Sequence, residues 1–227
     1  MSTNQDQPKI LLLCKKGKES AETAIKHLKG LVPDNLTVYE GVVGSSIPEE
    51  IHELEYDYLI SYLSPWIIPD TLLKKAKCAA INFHPAPPEY PGTGCFNFAL
   101  YDEVDQYGAT CHHMNPIVDS GKVIAVSRFE VVPEDTVLSV AEKTYTHMLD
   151  LFYDIVGIIL EGKDLPLAAN EAWRGKARTR KELEALCEIT MDMDKEEVER
   201  RMRATVFPNM PGPRIFLHGY RFNLVEE

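Results

Sequence analysis

Short apolar runs of strand length alternate along this chain with stretches of helical period, and no other feature constrains the fold as tightly. Residues 9–14 form a continuous apolar run bounded by Pro8 and by Lys15-Lys16-Gly17-Lys18, which predicts a strand buried on both faces. From Glu19 onward, Ala21, Ala24, Ile25, Leu28 and Leu31 fall at helical spacing, and the pattern stops before Pro33. Further strands are expected at residues 37–43, 58–63 and 79–84, the last halted by Pro85. Strands separated by helices imply parallel crossover units, and hence an open, mostly parallel, Rossmann-like α/β sheet. Residues 108–114 and 122–132 read as its last two strands.

After Pro133, Glu134-Asp135-Thr136 offers an acidic, capping helix start. Positions 137, 141, 145, 148, 152, 155 and 159 then mark one stripe of a long helix that ends near Gly162, and the stripe reads as core packing. Beyond Lys163 the chain becomes more charged. Helical stretches at about 180–188 and 194–204 precede a Pro-rich turn at 208–213 and a hairpin around Gly219. Some 60 residues do not readily make a core of their own. The expected division is therefore a catalytic domain, residues 1–162, and an extension of small helices and a β-hairpin, 163–227, packed on the core or on a partner subunit.

Composition narrows the function. With 44% hydrophobic and 26% charged residues the chain is an ordinary globular one. Its net charge of -11 repels phosphate backbones and anionic membrane surfaces, so neither nucleic acid nor membrane is an expected partner, although a local basic spot could hold one phosphate. The opening MSTNQDQPKI lacks a basic region followed by an apolar one, and five cysteines form no CxxC pair. Reduced thiols in the cytoplasm are the simplest reading.

Ligands of open α/β sheets bind outside the carboxyl ends of the strands. The strand at 79–84 ends Asn82-Phe83-His84-Pro85, and its period of two puts Asn82 and His84 on one face and Phe83 on the other. Such a pair could cap loop carbonyls; it could also bind a developing charge. The loop that follows, through Tyr90, Gly92, Thr93 and Gly94, holds four prolines and is stiff enough for a pocket wall. A second constellation runs from Gly108 through His112 and His113 to Asp119-Ser120-Gly121, where Asp119 could be a plain turn residue. Together, Asn82, His84 and Asp119 make a chemical set. An amide and a charged imidazole donate to an oxyanion, and a carboxylate raises a histidine pKa and accepts a proton from an amine. No serine or cysteine nucleophile is positioned by the sequence next to a base, which favours direct acyl transfer over an acyl-enzyme. Cys111, His112 and His113 alternate across a strand and cannot converge on a metal without a bulge, so no metal is expected.

Asn82-Phe83-His84-Pro85, the loop through Tyr90-Pro91-Gly92, and Gly108, His112 and Asp119-Ser120-Gly121 closely resemble the formyltransferase family that uses 10-formyltetrahydrofolate, over roughly residues 9–162. Residues 61–69, the INFHPAPPEYPGTG stretch and the tail from Arg203 to Phe222 look most like the nucleotide-sugar N-formyltransferases. The resemblance implies a formyltransferase fold, 10-formyltetrahydrofolate as co-substrate, and a nucleotide-linked amino sugar as acceptor, often a 4-amino-4,6-dideoxyhexose destined for cell-surface polysaccharide. It implies a homodimer as well. Asn82 and His84 would stabilise the tetrahedral intermediate, while Asp119 would pair with His84 and help to remove the amine proton. Ser64, Pro65, Trp66 and Ile67, with Asn115, Pro116, Ile117 and Val118, would hold the pterin; Trp66 could equally be core. Tyr90, Thr93 and Lys15 are the candidate substrate contacts, with the lysine cluster otherwise a solvated charge run.

The chain also departs from other branches of the family. Glycinamide ribonucleotide formyltransferases carry Gly-Asn-Gly-Ser-Asn where Cys14-Lys15-Lys16-Gly17-Lys18 stands here. Methionyl-tRNA formyltransferases have a larger C-terminal domain, and formyltetrahydrofolate hydrolases an additional N-terminal one. The remaining rivals are such a hydrolase, a transferase for another small amine, and a non-catalytic folate- or nucleotide-binding protein.

Overall fold

The structure is a computed structural model that describes residues 7–208, 210 and 212–224. Its elements run β1 (Ile10–Lys15), α1 (Glu19–Leu31), β2 (Leu36–Gly41), a 3-10 turn (Glu49–Glu53), β3 (Tyr58–Tyr62), α2 (Asp70–Leu73), β4 (Ala79–His84), α3 (Cys95–Tyr101), β5 (Gln106–His113), β6 (Val123–Glu130) and α4 (Val137–Leu160). The extension adds α5 (Arg180–Leu186), β7 (Glu188–Ile189), α6 (Lys195–Thr205), β8 (Arg214–Leu217) and β9 (Tyr220–Asn223). The main sheet has the order β2-β1-β3-β4-β5-β6; β2, β1, β3 and β4 are mutually parallel, and β5 runs antiparallel to both its neighbours. The strand order reverses at β1, which opens a crevice at the carboxyl ends of β1 and β3.

Alternation along each strand separates two layers. Leu12, Cys14, Ile60, Tyr62, Ile81, Phe83 and Cys111 face α1 and α4, where Leu28, Met148, Phe152, Ile155 and Ile159 are buried. Phe152 sits with its ring centroid 5.3 Å from that of Tyr62 and 5.2 Å from that of Phe83. On the opposite side Leu11, Leu13, Leu59 and Ala80 pack under Ile51, Tyr56, Leu72 and Leu73. The long helix begins as the sequence implies. Thr136 accepts from the Ser139 amide, Ser139 Oγ accepts from the Thr136 amide, and the two close a capping box.

The extension packs on the main sheet's own layers. Leu186 and Ala204 join Phe98, Leu100, Tyr107 and Val140 in a third cluster. Asn97 Nδ2 donates to the Ala204 carbonyl (2.7 Å), and Arg203 donates to the carbonyls of Val132 and Asp135 (3.1 and 3.2 Å). The hairpin turns at His218-Gly219, both at positive φ (50° and 83°), and β8 pairs in parallel with β7. The expected helix at 180–188 stops at Leu186 because Glu188 and Ile189 are drawn into that pairing. Two short helices, α2 and α3, were not legible, since four and seven residues carry too little period to register. β2 ends two residues earlier than expected, at Gly41, where a Cβ would stand 2.4 Å from the Trp66 ring. Of the Pro-rich turn, positions 209 and 211 lie outside the described residues, as does the opening MSTNQD. All five cysteines are free, and no helix among the described residues is long and apolar enough to cross a membrane.

Phe152→Ala should cost about 3–5 kcal/mol of unfolding free energy, because it empties the centre of the aromatic cluster under β3 and β4. Urea titration followed by circular dichroism measures it; a loss under about 1 kcal/mol would mean that the cluster collapses to fill the space.

Candidate active site

The register of β4 with β5 sets Asn82 opposite His112 and His84 opposite Thr110, so all four share one face while Phe83 and Cys111 point into the core. The proline loop after β4 spends its polar backbone groups on fixed partners. Pro85 accepts from Tyr107 Oη (3.1 Å), Ala86 from Thr110 Oγ1 (2.7 Å), and the Gly92 amide donates to Asp119 Oδ2 (2.9 Å). Asp119 reaches this position from the loop joining β5 and β6. Asn115 Oδ1 accepts from the Ile117 amide and Ser120 Oγ, Asp119 itself takes a left-handed φ of 45°, and Gly121 passes so near the His113 carbonyl that a Cβ would stand 1.6 Å from it.

The result is a buried cluster. His84 Nδ1 lies 3.4 Å from Asp119 Oδ2 and His112 Nε2 lies 3.5 Å from Oδ1, with all three side chains at most 7% exposed. Hydrogen-bond logic assigns the protons, because a carbonyl can only accept. His112 Nδ1 donates to the His113 carbonyl (2.8 Å), which leaves its Nε2 to accept from Asn82 Nδ2 (3.1 Å). His84 Nε2 donates to the Tyr90 carbonyl (3.0 Å), so a neutral His84 turns the lone pair of Nδ1 toward Asp119. Burial pushes the His84 pKa below its ordinary 6.5, outweighing the attraction of Asp119 and the Tyr90 carbonyl. Burial also opposes ionisation of Asp119, but the charge His84 carries when protonated and the Gly92 amide hold it below the ordinary 3.8. Burial thus favours a neutral His84 beside the Asp119 carboxylate, and the gap between Nδ1 and Oδ2 is where a proton is held once His84 is charged. Asn82 commits one amide hydrogen to His112 and keeps a second for the cavity it lines.

That cavity, about 260 Å³, is lined by Asn82, His84, His112 and Asp119 and walled by Ser64, Pro65, Trp66 and Ile67 on one side and Asn115, Pro116, Ile117 and Val118 on the other. Ile67, Ile117 and Val118 are exposed at its mouth, an apolar rim around a polar floor. Trp66 serves in both of the ways open to it. Its ring packs over Gly41, its Nε1 donates to the Ser45 carbonyl (3.0 Å), and it forms part of the wall.

The three candidate substrate contacts are not brought together. Tyr90 offers the site its carbonyl, while its ring leans on Tyr107 and its hydroxyl donates to Asp102. Thr93 is exposed, with its amide on the Arg178 carbonyl. Lys15 lines a separate cavity of about 540 Å³, with Lys18, Arg180, Arg214 and Arg221 among Phe96, Tyr145 and Phe216. Lys18 Nζ stands 3.9 Å over the Tyr145 ring, and Arg214 Nε is buried without a partner among the described residues. Phe96 follows Cys95, whose thiol is close enough to Asp119 to feel its charge, so α3 begins between the two cavities. The arginines come from the extension and carry no motif. Their recruitment was invisible until the extension was placed. His113 is half-buried on the opposite face, at the edge of another cavity formed with Ile159 and Leu165. A bulge does interrupt the pairing of β5 with β6 at Cys111 and His112, yet Cys111 stays in the core layer and no metal-holding group of three is found among the described residues.

The pKa directions fix the sign of an acid effect. The unfolded chain protonates its His84 near 6.5 while the folded one does not, so stability should fall as pH drops below about 6.5, and fall again below about 3.8 as Asp119 is lost. Urea midpoints between about pH 7 and pH 5 measure the first segment, and His84→Gln should flatten it. An unchanged slope in that variant would assign the effect to other groups.

The family model for formyl transferase matches residues 10–155. The methionyl-tRNA formyltransferase of Listeria innocua is 32% identical over 120 residues, which is 52% of this chain and 38% of that protein. The chain thus spans well under half the length of that curated relative. A sugar N-formyltransferase from Shewanella superposes with a TM-score of 0.78 at 18% identity, covering 95% of this chain and 96% of that one. The N-formyltransferase of Helicobacter canadensis, solved with folinic acid and dTDP-3-aminofucose, gives 0.73 at 15% identity, covering 93% and 84%. With the family pattern spread across most of the main sheet and the Asn82, His84 and Asp119 cluster inside it, this chain belongs to the formyl transferase family.

Proposed function

We propose that the protein is an N-formyltransferase that moves the formyl group of 10-formyltetrahydrofolate to the amino group of a nucleotide-linked amino sugar, such as a dTDP-linked 4-amino-4,6-dideoxyhexose. The observation that carries this reading is the buried set of Asn82, His84 and Asp119 on the floor of an apolar-walled cavity, beside a second cavity rich in cations. The first suits a pterin between Ser64–Ile67 and Asn115–Val118, with the formyl group directed at Asn82. Lys15, Lys18, Arg180, Arg214 and Arg221 suit the phosphates of an activated sugar, and the unpartnered Arg214 Nε is the kind of donor an anion satisfies.

The residues then divide the work. The folate supplies an acyl carbon at the formyl oxidation level. Asn82, through its second amide hydrogen, donates to the oxygen on which negative charge develops. As the amine nitrogen bonds to that acyl carbon, Asp119 and neutral His84 receive the ammonium proton into the gap between Oδ2 and Nδ1, where it makes a charge-assisted hydrogen bond, and from there it passes to the folate nitrogen whose bond to the formyl carbon breaks. Because His84 Nε2 is held by the Tyr90 carbonyl and its Nδ1 faces Asp119, its part in this reading is proton handling more than direct contact with the oxyanion. Residues 1–162 form the catalytic unit in this reading. The exposed hairpin face of Leu217, Tyr220 and Phe222, opposite the one that Phe216 and Arg221 turn to the cationic cavity, is the surface of a cytoplasmic homodimer.

The curated relatives raise methionyl-tRNA as a second acceptor, which the net charge of -11 disfavours. Formyl transfer from 10-formyltetrahydrofolate should therefore be measured across dTDP-, UDP- and GDP-linked amino sugars, glycinamide ribonucleotide, methionyl-tRNA and water alone. Turnover with a nucleotide sugar is expected. Formate release without an amine would make the protein a hydrolase, and folate binding with no turnover anywhere would make it a binding protein. Asn82→Ala and His84→Ala should each lower kcat by about 10²–10³-fold in folded protein. Near-normal turnover in His84→Ala would overturn the assignment of proton transfer.

A further inference from the structure

Trp173 lies beyond the span matched by the family model, in a polar stretch of the extension, yet its indole touches both imidazoles of the site. Its ring centroid is 4.9 Å from that of His112, at an interplanar angle of 88°, and 5.7 Å from that of His84, at 64°. Edge-on contacts of this kind have a preferred geometry, so they resist rotation of the rings they meet. The indole N–H also donates to the Gly121 carbonyl at 2.7 Å, two residues after Asp119.

The segment holding Trp173 is itself pinned on three sides. The Ala168 amide bonds to Val123 at the start of β6, the Arg174 amide bonds to Pro88, and the Arg178 amide bonds to Pro91 in the proline loop. Arg128 of β6 clamps Glu171 at 2.8 Å and Glu89 at 3.1 Å. Such anchoring leaves the indole little freedom of its own.

We propose that Trp173 is a positioning residue for formyl transfer: its ring orients His84 and His112 and closes the cluster to water, while its N–H holds the loop that carries Asp119. The inference rests on the proposed reading of that cluster as the proton-handling site. His84 is faced by Asp119, His112 and the Tyr90 carbonyl, and His112 by Asn82, Asp119 and the His113 carbonyl. Without the indole, water reaches these groups. The burial that keeps His84 neutral is relieved, and its pKa climbs back toward 6.5.

Trp173→Phe and Trp173→Ala in the full chain, assayed for kcat and KM across pH with melting curves to certify folding, test the proposal. Trp173→Ala should lose about 10²-fold in kcat, with the KM for folate within about twofold, and its acid limb should move to higher pH. Trp173→Phe, which keeps a ring and loses the N–H, should fall between the two. Wild-type kcat and pH profile in Trp173→Ala would overturn the inference; should that variant fail to fold, a wild-type profile in Trp173→Phe would overturn the role of the Gly121 bond. A second readout needs no turnover. The chain has two tryptophans, so Trp66→Phe leaves Trp173 as sole emitter, and imidazolium quenches indole emission. Emission should fall with acid, and fall less once His84→Gln is added; emission indifferent to acid and to that substitution would show that the contact is absent. If His84→Ala is inactive while Trp173→Ala is normal, this inference fails alone. If His84→Ala is fully active, the reading beneath it fails.

Discussion

One buried carboxylate sets the terms for the site. Asp119 is 7% exposed, and a charge so placed costs several kcal/mol unless it is paired and hydrogen-bonded. Its surroundings come from three separate segments: the Gly92 amide that donates to it from the proline loop, His84 that pairs with it when charged from the end of β4, and His112 beside it from β5. Satisfying one charge therefore locks three pieces of backbone to one another. The local peculiarities follow from that requirement. The left-handed φ of Asp119 and the bare Cα of Gly121 against the His113 carbonyl let the β5–β6 loop bring its carboxylate back over the sheet. Gly92 meets the same demand from the other side, since a Cβ there would stand 2.4 Å from the Arg178 carbonyl.

Much of this was legible because it is periodic. Alternation in Ala79–His84 puts Asn82 and His84 together and Phe83 behind them, and the register of the structure does so too. The apolar stripe from Val137 to Ile159 placed α4, and Thr136 marked its start. What escaped depends on contacts distant in sequence. Tyr90 sits at the site through its carbonyl, and a side-chain reading cannot anticipate a backbone acceptor. His112 could be placed near the site but not given a task, because its role depends on which neighbour takes the Nδ1 hydrogen. Trp173 left only a faint trace, one large ring between Ala172 and Arg174 in a charged stretch, and nothing local says which surface it covers. The antiparallel direction of β5 was equally hidden, since alternation in a strand is blind to its direction.

Charge is distributed against the average of the chain. A protein of net charge -11 gathers Lys15, Lys18, Arg180, Arg214 and Arg221 around one cavity, with Glu184 as the acidic residue of its lining. Repulsion among them is already felt at Lys18, whose pKa burial and then Lys15 push down. An arrangement that strains its own cations is stabilised by an anion, and a diphosphate carries more compensating charge than a single carboxylate could. The acidic remainder of the surface discourages long polyanions from following.

The extension is therefore more than a cover for apolar surface. Its α5 and β8–β9 hairpin carry three of the five cations, and residues 168–178 carry the indole that packs on His84 and His112. Electrostatic interactions strengthen as water leaves a site, so the pairing of Asp119 with a charged His84 gains from the ring above it as well as from the sheet below. A truncation of the extension would leave Asn82, His84 and Asp119 in the chain and still alter the dielectric in which they work. The matched span 10–155 contains the groups proposed to react, but the surroundings in which they would hold a proton are completed by residues that lie after it.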